Sequence, residues 1–100
     1  MNREKFGLNE RTISLLKSTL QKWPEISKIL IYGSRAKGNF RKGSDIDICL
    51  VAPQLGTTDL LKIENDIEEL MLPYKIDISF FHLIENNDLK NHIDRIGVEL

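Results

Sequence analysis

The chain has little of several features that would narrow its class. Only one of its 100 residues is cysteine, Cys49, which excludes an internal disulfide and a cysteine-rich zinc site and favours a reducing compartment. No apolar run approaches bilayer-spanning length and no signal-like stretch follows the charged amino terminus, so we expect a cytoplasmic protein without a membrane partner. Positive and negative charges are nearly balanced, with 14 Lys and Arg against 15 Asp and Glu. This balance argues against direct nucleic-acid binding.

The composition is that of an ordinary globular protein. Hydrophobic residues make up 41% of the chain and charged residues 29%. A length of 100 residues suffices for one domain with one modest core, so we expect a single domain over residues 1–100. That length leaves no room for a separate substrate-binding domain, and we expect any acceptor to come from another molecule.

Apolar periodicity predicts helices and strands in alternation. The first half is predicted to contain a helix over 10–22 capped by Asn9, a strand over 26–32, a loop over 33–44 that opens with one helical turn, and a strand over 45–51. The second half is predicted to contain a helix capped by Thr58 or Asp59, a strand over 75–81, and a helix capped by Asn87 that ends before Gly97. The apolar stripe of the middle helix is expected to enter the core; it comprises Leu60, Ile63, Ile67, Leu70 and Met71. This order predicts an α/β (α+β) fold, in which a small mixed β-sheet packs against helices.

Three aspartates lie in or beside the predicted strands. Asp45 and Asp47 point the same way from one strand, about 7 Å apart at Cα. Asp77 interrupts an apolar run between Ile76 and Ile78, where aspartate is disfavoured. If the two strands are neighbours, the three carboxylates converge and could flank two Mg²⁺ ions, as in phosphoryl displacement. The simpler alternative is that all three acids mark solvated strand edges.

A glycine–serine turn follows the first strand. Gly33 allows a close approach of backbone to ligand, and Ser34 offers hydroxyl and N–H groups to phosphate oxygens. Arg35 and Lys37 belong to a basic loop that could neutralise phosphate charge, although a turn with a solvated loop would look the same. A P-loop is excluded because the glycines lack the required Lys-Ser or Lys-Thr.

The remaining reactive side chains are interpreted as structural. His82 and His92 have no spacing that indicates a metal pair or a catalytic triad. Cys49 is expected to be a buried thiol rather than a nucleophile.

Taken together, Gly33-Ser34, ten intervening residues, Asp45-Ile46-Asp47 and the later Asp77 resemble the motif of the polymerase-beta-type nucleotidyltransferase superfamily. Within it the chain resembles the minimal nucleotidyltransferases, which pair with helical HEPN-type toxins. The resemblance implies that Asp45 and Asp47 bind metal and that Asp77 completes the site and helps to deprotonate the acceptor hydroxyl. It also implies that the β- and γ-phosphates contact Gly33 and Ser34. The predicted site therefore comprises catalytic and metal-binding Asp45, Asp47 and Asp77, and nucleotide-binding Gly33, Ser34, Arg35, Lys37 and Ser44.

The resemblance further implies an enzyme that transfers AMP from ATP, with Mg²⁺, to a hydroxyl of a HEPN-type partner protein. The alternative from a different class is a non-catalytic antitoxin that neutralises its partner by forming a stoichiometric complex. An aminoglycoside- or tRNA-directed nucleotidyltransferase is disfavoured because those enzymes need added domains. The acceptor, the nucleotide base and a homo- or hetero-oligomeric state are left open.

Overall fold

The computed structural model describes residues 5–100 as a four-stranded mixed sheet with helices packed on it. The central strands β1 (Lys28–Tyr32) and β2 (Ile46–Val51) are antiparallel. Strand β3 (Ile76–Phe80) pairs with β2 in parallel, and the short β4 (Val98–Glu99) pairs with β1 in antiparallel fashion. The spatial order is β3-β2-β1-β4, so β3 forms one edge of the sheet. The predicted fold class is confirmed.

The helices alternate with the strands as the periodicity predicts. They are α1 (Glu10–Leu20), the single turn α2 (Ser34–Lys37), α3 (Thr57–Glu68) and α4 (Asn87–Ile96). Two short elements were not predicted: a turn of 3₁₀ helix over Phe81–Leu83 and the two-residue strand β4. Neither is long enough to display a hydrophobic period.

The core lies between one face of the sheet and the helices α1 and α3. Ile46, Ile48 and Leu50 alternate along β2 and have no exposed surface. They belong to one apolar cluster with Leu16 of α1 and Ile63 of α3. Full burial of each such side chain stabilises the fold by about 1.5–3 kcal/mol. No helix within residues 5–100 is both long and apolar enough to cross a membrane.

The helix caps show where local signals can mislead. Asn9 caps α1 as predicted, since its Oδ1 accepts a hydrogen bond from the Thr12 N–H at 2.8 Å. The predicted cap of α3 is wrong: Gly56 is the N-cap, and the Asp59 carboxylate accepts from its N–H at 3.0 Å. The predicted cap of α4 is also displaced by one residue, because Asn86 rather than Asn87 occupies the position.

The helical stripe predicted for the core ends early. Ile63 and Ile67 are buried, and Leu60 and Leu70 are packed against the core in part. Met71 is 88% exposed, which corrects its assignment to the core. The reason is local: α3 ends at Glu68, and Met71 has a φ of 54°, so the chain turns away from the helical path.

The observed ends of the strands also differ slightly from the predicted ends. Strand β1 begins at Lys28 rather than at residue 26, and β3 covers Ile76–Phe80 rather than 75–81. Strand β2 begins at Ile46, so Asp45 lies just before the strand rather than within it. The chain therefore presents Asp45 from a loop end and Asp47 from a hydrogen-bonded strand.

Candidate active site

A row of polar side chains crosses the sheet on the face opposite the α1 and α3 core. In the β1–β2 pair Tyr32 lies opposite Asp47, and in the β2–β3 pair Asp47 lies opposite Asp77. Paired residues point to the same side of a sheet, and neighbouring strands are about 4.8 Å apart. The strands that carry Asp47 and Asp77 are therefore neighbours, which is the condition on which the predicted acid site depended.

Asp45 joins this pair from the residue before β2. It lies two residues from Asp47 and is exposed, as is Asp77 on the edge strand. The pKa of Asp47 is raised above its ordinary value, first by burial and then by the negative charges of Asp77 and Asp45. His92 and Lys75 oppose part of this rise. The three carboxylates are thus within electrostatic reach of one another.

The glycine–serine turn lies directly against this acid cluster. Gly33 joins β1 to α2 with φ 74° and ψ −154°, a conformation that is essentially restricted to glycine. A Cβ at this position would overlap Oδ2 of Asp47. Ser34 follows as the first residue of α2. The absence of a side chain at Gly33 is what allows the serine turn and the Asp47 carboxylate to meet.

The Arg35 side chain is buried, whereas the sequence analysis placed it in a solvated basic loop. Its side chain is only 2% exposed, and its guanidinium donates to the carbonyl groups of Ser44 and Phe6. Its guanidinium carbon also lies 5.3 Å from the ring centroid of Phe40 and 5.0 Å from that of Tyr74. The guanidinium is therefore enclosed and engaged with the protein itself, and nucleotide contact by Arg35 stays a prediction.

The other two predicted nucleotide ligands have different surroundings. The Ser44 hydroxyl accepts a hydrogen bond from the Arg41 N–H at 2.8 Å, and this bond closes the turn before Asp45. Lys37 is exposed at the end of α2 and is free to reach outward. Nucleotide contact by Ser44 or Lys37 stays a prediction.

Helix α4 brings His92, which the sequence analysis interpreted as a structural residue, to the acid face. The His92 ring meets the Tyr32 ring edge-on, with centroids 6.1 Å apart, and its influence lowers the pKa of Asp47. Burial, opposed by a side-chain hydrogen bond with Ser79, raises the pKa of Tyr32 itself. Sequence spacing contains no signal for His92, because its position depends on how α4 docks.

The interpretations of His82 and Cys49 as structural residues agree with their surroundings. His82 Nε2 lies 2.9 Å from the Leu55 carbonyl oxygen, and its ring stacks on Phe80 with centroids 5.6 Å apart. Cys49 is fully buried, and burial raises the pKa of its thiol to about 11. A thiol of that pKa is not a nucleophile at neutral pH.

The donor chemistry suits a hard divalent cation, although the side chains are not drawn together. Within residues 5–100, no three His, Cys, Asp or Glu side chains converge closely enough to make a preformed ion site. The donors are nevertheless carboxylates, which Mg²⁺ prefers, and burial together with repulsion from Asp77 and Asp45 raises the pKa of Asp47. A bound cation would offset that repulsion, so the residues fit Mg²⁺.

Two of the three acids lie on the protein surface. A cavity of about 280 Å³ between α3 and β3 is lined by side chains that include Glu64, Leu72 and Ile78 but none of the three aspartates. Asp45 and Asp77 are both exposed. A large molecule could therefore approach the carboxylates directly.

Comparisons with known proteins identify the family and the fold. The model of the polymerase beta nucleotidyltransferase family matches residues 15–100. No curated protein matches the sequence. A toxin–antitoxin crystal structure with AMP-PNP has a chain that is 22% identical, with a TM-score of 0.69 over 92% of this chain and 72% of that one. A mutant of the toxin–antitoxin MntA-HpeT gives 24% identity and a TM-score of 0.68 over 93% and 72%.

A third structure, from Sulfolobus solfataricus, is described provisionally as a nucleotidyltransferase. It is 21% identical with a TM-score of 0.51, and the match covers 99% of this chain and 89% of that one. At these identities the structural likeness shows a shared fold.

Proposed function

The chain belongs to the polymerase beta nucleotidyltransferase family, and we propose that it is a Mg²⁺-dependent enzyme that transfers AMP from ATP to a hydroxyl of a partner protein. In this proposal the chain is the antitoxin of a toxin–antitoxin pair, and its partner is a helical HEPN-type toxin. The observation that carries the proposal is the pairing of Asp47 with Asp77, with Gly33 seated against the Asp47 carboxylate. Within one small surface, carboxylates for a metal lie beside a turn suited to phosphates.

Asp45, Asp47 and Asp77 would hold the metal. Two Mg²⁺ ions, when bound, would neutralise the triphosphate and stabilise charge on the attacking and leaving oxygens. Burial raises the pKa of Asp47, and the negative charges of Asp77 and Asp45 raise it further. A bound cation would therefore stabilise the ionised carboxylates of this cluster.

The chain's own groups divide the remaining work. Gly33 lets the backbone approach the triphosphate, and Ser34 donates from its hydroxyl and N–H groups to the β- and γ-phosphate oxygens. Lys37, exposed at the end of the same turn, adds positive charge. The acceptor oxygen attacks the α-phosphorus, the bond from that phosphorus to the bridging oxygen breaks, and pyrophosphate leaves. Asp77 takes the proton of the acceptor hydroxyl.

The acceptor is proposed to be a protein because two of the three acids are exposed. Asp77 lies on the edge strand and is exposed, so a hydroxyl on a large partner can reach it. Chains of similar fold come from toxin–antitoxin structures, one of them with AMP-PNP. These structures support a toxin as the partner and an adenine nucleotide as the donor.

The direct test is transfer of label from ATP to the candidate toxin encoded beside this gene. With Mg²⁺, the partner should acquire label from α-labelled ATP and none from γ-labelled ATP, because the α-phosphate is transferred and pyrophosphate departs. Asp47→Asn should lower the rate at least about 100-fold, since metal-based charge stabilisation contributes several kcal/mol. Asp66→Asn, on α3 across the sheet, is the matched control and should keep the wild-type rate.

The stoichiometric alternative predicts a different pattern. If Asp47→Asn neutralises the toxin as well as the wild type does, and the wild type transfers no label, the protein acts by covering its partner. Label that enters from γ-labelled ATP and not from α-labelled ATP would indicate phosphate transfer instead and would contradict the proposed reaction.

A further inference from the structure

One buried cation connects the separate chain segments that form the acid site. Arg35 directly follows Ser34 and is almost fully buried. Its Nε and Nη2 donate to the Ser44 carbonyl oxygen at 3.1 and 2.8 Å, and its Nη1 donates to the Phe6 carbonyl oxygen at 2.9 Å. A single guanidinium thus joins the serine turn, the residue before Asp45, and the N-terminal segment.

Two aromatic rings complete the enclosure of Arg35. Phe40 comes from the loop after α2, and Tyr74 comes from the segment that leads into β3 and Asp77. Beside Tyr74, the Lys75 carbonyl accepts a hydrogen bond from the Ile46 N–H at 2.9 Å. The start of β3 is therefore tied both to Arg35 and to the start of β2.

The N-terminal segment is fitted closely to the same cluster. Gly7 has a φ of 70°, and a Cβ on it would overlap the Phe40 ring. Only a residue without a side chain lets this segment lie against Phe40 while Phe6 offers its carbonyl to Arg35. Phe6 and Phe40 are not members of the acid cluster, but the Arg35 side chain connects them to the serine turn beside it.

We propose that Arg35 is a positioning residue that sets the separation between the serine turn and the aspartates, with the segment around Phe6 as its support. This inference rests on the proposed function, in which one nucleotide must touch both parts at once. Rates of this kind of chemistry are sensitive to placement, and a displacement of about 1 Å can cost roughly 100-fold. Arg35 acts through Ser34 and Ser44 and does not touch the nucleotide.

The informative substitution is Arg35→Lys. Lysine keeps the positive charge, but its compact ammonium group lacks the planar fork of donors with which the guanidinium bonds two carbonyl groups while it lies between two rings. We expect kcat for transfer to fall by about 10- to 100-fold while KM for MgATP changes by less than about threefold, because the serine turn can still bind phosphates when alignment is lost.

A matched control separates positioning from plain stability. Ile63→Val or Ile63→Ala, in the α3 core away from the acids, is chosen to lower the melting temperature by the same amount as Arg35→Lys. Well below that temperature the Ile63 variant should keep the wild-type kcat. The proposal is overturned if Arg35→Lys keeps kcat within about twofold, or if the Ile63 variant loses as much.

Hydrogen exchange tests the same claim without relying on activity. In Arg35→Lys the amides of Ser44 and Ile46 should exchange faster, whereas amides in the middle of β1 should not change. If Arg35→Lys fails to fold, Phe40→Leu, which removes one ring, carries the same test with a several-fold loss of kcat expected. If the wild type transfers no nucleotide, the proposed function fails. In that case, unchanged exchange at Ser44 and Ile46 in the folded variant would separately overturn the positioning role.

Discussion

The two faces of the sheet are built from alternating residues of the same strand and do different things. On one face Ile46, Ile48 and Leu50 are fully buried beneath α1 and α3. On the other face Asp47 is half-buried and its partner Asp77 is exposed, while Cys49, farther along β2, is buried. Because successive side chains of a strand alternate between faces, stability and candidate chemistry are separated by no more than the thickness of the backbone.

Substitutions at adjacent positions of one strand should therefore affect different properties, stability in one case and activity in the other. A change on the apolar face should lower the free energy of unfolding and alter activity only through loss of folded protein. A change at an exposed acid of the other face, such as Asp77, should alter activity and leave the fold intact. Three predictions test this division, beginning with the largest effect on stability.

Ile48→Ala should lower the free energy of unfolding by about 2–5 kcal/mol, because it removes buried methyl groups and leaves a cavity. Asp77→Ala, on the other face of the adjacent strand, should change it by less than about 0.5 kcal/mol, as expected for an exposed position. Urea denaturation followed by circular dichroism measures both values. Equal losses in the two variants would contradict the division between faces.

Gly33→Ala tests the point where the serine turn meets the acid face. The substitution should cost about 1–3 kcal/mol of stability because its backbone conformation is essentially restricted to glycine. It should also reduce nucleotide transfer, since the new Cβ displaces the Asp47 carboxylate. Gly56→Ala is the control: Gly56 has a φ of −112° and open space around it. Thermal denaturation of both variants should show the larger decrease for Gly33→Ala.

The smallest effect is a pH dependence of stability that arises from Asp47. Its pKa in the folded protein is raised above the ordinary value of 3.8, so the folded state holds this proton more tightly than the unfolded chain does. Stability from this source is present at low pH and is lost as the pH rises through the raised pKa. In metal-free buffer Asp47→Asn should therefore match the wild type below pH 3.8 and become relatively more stable above the raised pKa. Denaturation curves over a pH series measure the difference, and a constant difference would refute this assignment.

Much of the framework follows from local patterns. The alternation over β2 and the mid-strand position of Asp77 predict a shared acid face, and the observed register pairs Asp47 with Asp77. Gly33 is recognisable as a residue needed for close backbone approach, and its φ of 74° agrees. These predictions succeed because side-chain direction in a strand depends only on residue parity.

Elsewhere, equivalent sequence signals lead to different structural surroundings. Arg35 and Lys37 are two basic residues in one helical turn, yet Arg35 is enclosed and Lys37 is exposed. The difference comes from Phe6, Phe40 and Tyr74, which are distant in sequence and meet only in the folded chain. The proximity of His92 to Asp47 arises in the same way, from the docking of α4.

The sequence by itself determined the order of the helices and strands, the apolar face of the sheet and the side on which Asp47 and Asp77 stand. All of these depend on the repeat of an element or on the conformation of a single residue. Only the tertiary structure decided that β3 lies beside β2, that Arg35 is buried, and that α4 brings His92 to Tyr32. Those outcomes require contacts between residues far apart in the chain, and such contacts are selected by packing of the whole domain rather than by any local pattern.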